Sequence, residues 1–129
     1  SKRLLKIRYE LDNNKNIDEN RIYVLGLSMG GWGAWDAISR RPNFFAAAVP
    51  ICGGGDPEQA IYFKDVNIWA WHGEEDNVID VKKSQDMVQA LVKAKGNIKY
   101  SEIKVRGHDS WLDVWNSSDL WNWLYNQRK

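Results

Sequence analysis

The chain has 129 residues, 43% of them apolar, with 18 Lys and Arg against 17 Asp and Glu. That length suits one domain with a packed core, and a net charge of +1 excludes a charge-rich disordered chain and the basic footprint of a nucleic-acid binder. No apolar run nears the roughly 20 residues that cross a bilayer, and the opening Ser1-Lys2-Arg3 leads into no signal-peptide pattern.

Short β-type runs alternate with helical patterns, the signature of βαβ units and a mostly parallel sheet. Leu4, Leu5, Ile7, Tyr9 and Leu11 predict an opening helix that ends in Asn13-Asn14-Lys15-Asn16, a turn-forming cluster. Arg21 to Leu25 reads as a first strand. Gly30 to Arg40 reads as a helix, with Trp32, Trp35 and Ile38 at helical spacing and Pro42 barring its continuation. Phe45 to Ile51 is an apolar run of strand length closed by Gly53-Gly54-Gly55, and Val66 to Trp71 is a third strand. Val81 to Lys95 is an amphipathic helix with Met87, Val88, Leu91 and Val92 inward, ended by a Gly96-Asn97 C-cap. Ile98 to Val105 is a fourth strand. Trp111 to Tyr125 is helical in two pieces, because Asn116-Ser117-Ser118-Asp119 supplies an N-cap. The expectation is one α/β domain over residues 1–129, with about four parallel strands and flanking helices. Cys52 is the only cysteine, so no intrachain disulfide can form.

Ligands of open α/β sheets gather beyond the carboxyl ends of the strands. After the first strand comes Gly26-Leu27-Ser28-Met29-Gly30, a G-x-S-x-G between a strand and a helix. Chance would supply the pattern only about 0.04 times in such a chain, taking Gly and Ser at roughly 7% each. The chemistry needs that spacing: Ser28 must occupy a sharp, strained turn, where side chains at 26 and 30 would clash. The turn aims the Met29 amide, at the positive end of the helix, toward a developing oxyanion. A serine nucleophile needs a base, and only His72 and His108 exist. Both follow strands. The chain order Ser, acid, His selects His108 as base and leaves His72 to hydrogen-bond within its turn. The acid then comes from Glu74, Glu75, Asp76 and Asp80. Asp80 reads as an N-cap, Asp109 and Asp113 lie too close to His108 in sequence, and Asp76 is preferred with Glu75 as rival.

Gly26 to Gly31, Trp71-His72-Gly73-Glu74-Glu75-Asp76 and Gly107-His108-Asp109-Ser110-Trp111 resemble the serine-esterase branch of the α/β hydrolases. The likeness is to bacterial feruloyl- and acetylxylan-esterase-like proteins and prolyl-oligopeptidase-like putative peptidases. Asp18 to Gly31 and Ala46 to Asp56 are similar too. The resemblance implies Ser28 as nucleophile, Asp76 as acid and His108 as base. It also implies that Cys52 to Gly55 and Trp111 lie near a substrate such as an acyl or feruloyl ester of a plant polysaccharide, and it favours a secreted or periplasmic protein.

The likeness stops at the front. Family members carry further strands, and a loop there supplies the first of two oxyanion donors. The expectation is therefore the C-terminal part of a hydrolase fold, with the strand at Arg21 to Leu25 leaving an open edge for the missing part or a second copy. No metal, cofactor, nucleic-acid or membrane partner is expected: two histidines and one cysteine form no ligand set at recognised spacing. The competing readings are a peptidase or lipase of the same superfamily, an inactive remnant, and a carbohydrate-binding module built on the eight tryptophans. The helical spacing of Trp111, Leu112 and Trp115, then Leu120, Trp121 and Leu124, predicts instead a buried face, with Trp123 exposed.

Overall fold

The computed structural model describes residues 16–129; the helix expected over Leu4 to Leu11 lies outside them. The elements are β1 (Tyr23–Leu27), α1 (Met29–Arg40), β2 (Ala47–Ile51), a 3-10 helix (Pro57–Tyr62), β3 (Asn67–Gly73), α2 (Lys82–Lys93), β4 (Ile98–Ile103), α3 (Trp111–Trp115) and α4 (Ser118–Tyr125). The four strands form one parallel sheet in the order β1-β2-β3-β4. The fold is α/β, with four parallel strands and flanking helices as the sequence predicts.

Strand side chains alternate between two faces, and so divide the core in two. Ala48, Ile68 and Ala70 join Trp35, Ile38, Met87, Leu91 and Phe63 beneath α1 and α2. Ala47, Val49, Ile51, Trp69 and Trp71 join Val114, Leu120 and Leu124 beneath α3 and α4. Strand β2 is buried at every position, whereas β1 is half-buried and pairs, among the described residues, with β2 alone. No helix among the described residues is long and apolar enough to cross a membrane.

Four local expectations need correction, the first being Val92 of α2, expected inward but exposed. Strand β1 begins at Tyr23 and runs two residues further than expected, because Gly26 and Leu27 continue the ladder with Pro50 and Ile51. Helix α2 ends in a Schellman motif: Gly96 N donates to Leu91 O at 2.8 Å and Lys95 N to Val92 O at 3.1 Å. Lys95, at φ 60, therefore takes the left-handed position expected of glycine. Gly96 instead sits in tight space, since a Cβ there would lie 3.0 Å from Lys64 O and 3.1 Å from a Leu91 methyl. Finally, Trp123 packs edge-on against Trp69 at 5.6 Å, while Trp115 is exposed and stacks on Trp121 at 5.7 Å. Within α3 it is Val114, not Trp115, that is buried, and within α4 Trp123 stands three residues after buried Leu120 and shares its face. Ser117 caps α4 as expected, its Oγ accepting from Leu120 N.

Candidate active site

Ser28 occupies the bend between β1 and α1 with φ 57 and ψ −116, a strained conformation for a residue with a side chain. Its amide donates to Ile51 O at 2.9 Å, which ties the bend to the end of β2. The bend requires glycine at 26, where a Cβ would lie 2.0 Å from Gly30 O. It also requires glycine at 31, where a Cβ would lie 2.4 Å from Ile51 O. Gly30, expected to be sterically critical, has open space around its own missing Cβ. Its backbone is what Gly26 must avoid.

His108 lies on the loop between β4 and α3, and Asp76 on the loop after β3. The two loops meet backbone to backbone: Glu74 N donates to Ile103 O at 3.0 Å and Glu75 N to Arg106 O at 2.9 Å. Gly73 makes this approach possible, because a Cβ there would lie 2.2 Å from Gly107 O and 2.4 Å from Arg106 O. Arg106 braces the second loop through ion pairs to Asp113 and Asp109. At the turn itself, exposed Val105 adopts φ 57.

These loops deliver an unbroken polar chain. Ser28 Oγ lies 2.8 Å from His108 Nε2, and His108 Nδ1 lies 2.8 Å from Asp76 Oδ2. Asp76 Oδ1 accepts from the Val78 and Ile79 amides, each at 2.9 Å. Asp76 is 8% exposed, whereas Glu74, Glu75 and Asp80 are exposed. Burial would raise the Asp76 carboxyl, but the hydrogen bonds from His108, Ile79 and Val78 outweigh it and hold the group below the usual carboxylate range. An ionised Asp76 fixes the Nδ1–H tautomer of His108, leaving the Nε2 lone pair to accept from the serine hydroxyl. Asp80 Oδ1 accepts from Lys82 N at 2.8 Å, in the capping role expected of it.

His72 is fully buried. Its Nε2–H donates to Ile79 O at 2.8 Å, and the Ser84 hydroxyl, 2.7 Å from Nδ1, reaches Gly53 O at 3.1 Å. The same Nε2 lies 3.3 Å from Asp76 Oδ2, so His72 also buttresses the acid. Spacing gave no sign of this, because the contact depends on how the loop after β3 folds back.

Met29 is the first residue of α1, so its amide has no acceptor within the helix. Trp111 is half-buried against the core beneath α3. Cys52 departs from the expectation of a substrate-facing residue: its side chain is wholly buried, beneath the polar chain, at φ 44. A concavity of about 700 Å³ lies elsewhere, between α1, the 3-10 helix and α2, lined by Trp32, Trp35, Asp36, Phe63 and Met87 among others, and no residue of the polar chain lines it.

A serine on a strand-to-helix bend, bonded to a histidine and through it to a carboxylate from two further strand ends, belongs to the architecture of the α/β hydrolases. Residues 2–104 match the model of the dienelactone hydrolase family, and the chain belongs to that family. No curated protein matches it. The crystal structure of a thermostable esterase is similar at 40% identity with a TM-score of 0.93, over 98% of this chain and 36% of that one. The Pyrococcus horikoshii acylaminoacyl peptidase is similar at 14% identity and TM-score 0.73, over 85% of this chain and 23% of that one. Esterase PE8 is similar at 18% identity and TM-score 0.71, over 92% and 54%. The last two show the shared fold. This chain thus spans about a third of the length of the thermostable esterase.

Proposed function

We propose that the chain carries the catalytic triad of a serine carboxylic ester hydrolase. Ser28 Oγ attacks the acyl carbonyl while His108 Nε2 takes its proton. The Met29 amide, at the positive end of α1, stabilises the oxyanion. His108 then protonates the leaving alkoxide, and the acyl-enzyme forms. Water, deprotonated by the same nitrogen, attacks the acyl carbon, and His108 returns that proton to Ser28 Oγ as the acyl–Oγ bond breaks and the acid leaves. Asp76 stabilises the imidazolium at each stage without taking its proton.

The carrying observation is the continuous path from Ser28 Oγ to Asp76 with both links at 2.8 Å. The 40% identity to an esterase favours esters over amides. The acyl or feruloyl esters of plant polysaccharides expected as substrates rest on the resemblance of the motifs. A binding module built on tryptophan is disfavoured, since only Trp32 and Trp115 of the eight tryptophans are exposed. The other oxyanion donor would come from a segment or a second copy pairing along the edge of β1 that has no partner strand among the described residues; a second copy there would show as a dimer in sedimentation.

Fluorophosphonate labelling followed by peptide mapping tests the assignment. Label on Ser28, abolished in Ser28→Ala, is expected together with p-nitrophenyl acetate hydrolysis. An unlabelled Ser28 in folded protein would sink it.

A further inference from the structure

The site contains two groups that ester hydrolysis does not use, the Cys52 thiol and the Ser110 hydroxyl. One ligating atom from each of Cys52, Asp76 and His108 lies within 4.8 Å of the others. We propose that these three residues form a binding site for a soft divalent cation such as Zn2+, and that a cation bound there silences the triad.

The donor set is a thiol, an imidazole and a carboxylate, the side chains that zinc prefers. Zinc bonds of about 2.0–2.3 Å in tetrahedral geometry need ligand atoms roughly 3.3–3.8 Å apart. The observed spacing thus calls for adjustments on the order of 1 Å, with the bond from His108 to Asp76 giving way. Charge balance also fits. A thiolate and a carboxylate neutralise the dication, a condition that matters because Cys52 and Asp76 are buried. The proton displaced from the Cys52 thiol leaves for solvent as the sulfur–metal bond forms. His108, with 27% of its side chain exposed, is the side from which a cation enters.

An independent observation points to the same place. Ser110 is fully buried, its Oγ has no oxygen or nitrogen partner among the described residues, and it lies against the Cys52 thiol. Held against that sulfur, the hydroxyl can serve as the fourth, oxygen donor or hold one in place. The sequence held no recognised metal spacing because the ligands come from three loops, after β2, β3 and β4, which only the parallel sheet brings together. A cation there takes His108 Nδ1, the nitrogen facing Asp76; the Nδ1 proton passes to Nε2, which then cannot accept from the serine hydroxyl, so Ser28 loses its base.

Silencing rests on the proposed esterase reading; binding does not. Cd2+ is the probe, because its thiolate complexes absorb in the ultraviolet, and with one cysteine in the chain the band reports Cys52 alone. The expected result is a one-to-one titration, reversed by Zn2+ and by chelator, absent in Cys52→Ser and weakened about 10-fold in Ser110→Ala. Zn2+, but not the hard cation Mg2+, should suppress p-nitrophenyl acetate hydrolysis by the parent chain and leave Cys52→Ser at its own uninhibited rate. Near-ultraviolet circular dichroism establishes that both variants fold. No band at millimolar Cd2+, or equal Zn2+ inhibition of parent and Cys52→Ser, overturns the proposal. A chain that hydrolyses no ester but shows the band refutes the esterase reading and retains the metal site.

Discussion

Replacing Gly73 by alanine would put a methyl carbon 2.2 Å from Gly107 O, where real Cβ contacts essentially never fall below 3.0 Å. The two loops must therefore part by about 0.8 Å, the difference between those distances. The bonds Glu74 N to Ile103 O and Glu75 N to Arg106 O, at 3.0 and 2.9 Å, join the same segments and would stretch to about 3.8 and 3.7 Å. Both then lie beyond hydrogen-bond range. Their loss costs roughly 1 kcal/mol each, and the residual overpacking about 1–3 kcal/mol. The sum, about 3–5 kcal/mol, is a large part of the 5–15 kcal/mol typical of a whole domain. Because the same opening separates His108 from Asp76, ester hydrolysis should also fall on the order of 100-fold, as expected for an ångström-scale misplacement. Gly107→Ala is the control: its Cβ would meet only Glu75 O, at 3.7 Å. Urea unfolding followed by tryptophan fluorescence measures both variants, with the m-value checked for constancy. If Gly73→Ala stays within 1 kcal/mol of the parent, or Gly107→Ala proves equally harmful, the close approach does not hold these loops together.

In Asp76→Asn the carbonyl oxygen can still accept from Val78 and Ile79, but the amide then faces His108 and favours the wrong tautomer. Hydrolysis should fall about 10⁴-fold, roughly 5.5 kcal/mol at 1.36 kcal/mol per decade. The folded Asp76 carboxyl titrates below its unfolded value, so its stabilisation is present above about pH 3.9 and is lost as pH falls through the folded value. Unfolding midpoints measured between pH 6 and 2 should therefore show a shallower acid decline in Asp76→Asn. Lys95→Gly relieves a left-handed φ of 60 at an exposed helix end. It should stabilise the chain by about 0.5–1 kcal/mol in the same urea assay; a loss of stability would mean that the Lys95 side chain contributes contacts the backbone argument ignores.

Much of the architecture was legible in the chain. Strand and helix periodicities differ by nearly a factor of two, and glycine, proline and capping residues mark the boundaries, so the four strands and the four α-helices from Met29 onward could be placed to within a few residues, while the 3-10 helix at Pro57–Tyr62 left no such pattern. Ser28 stood out for a local reason: a sharp bend needs small neighbours at fixed offsets, which leaves a written pattern. Asp76 could be separated from Glu75 only by preference, because both sit on one loop and what distinguishes them is burial, a property of the folded chain.

The tertiary structure decided whatever depends on contacts between segments distant in sequence. Gly73 matters because a loop more than 30 residues away passes 2.2 Å from its missing side chain. Trp123 turned inward because Trp69 of β3 offers it a packing partner, while in α3 Val114 takes the buried position and leaves Trp115 outside. Cys52, expected to face a substrate, lies buried beside Asp76 and His108 because β2, β3 and β4 end at the same edge of one sheet. Local patterns record the conformational preferences of neighbouring residues. They carry no record of which distant backbone will approach, and in this chain those approaches set the geometry of the site.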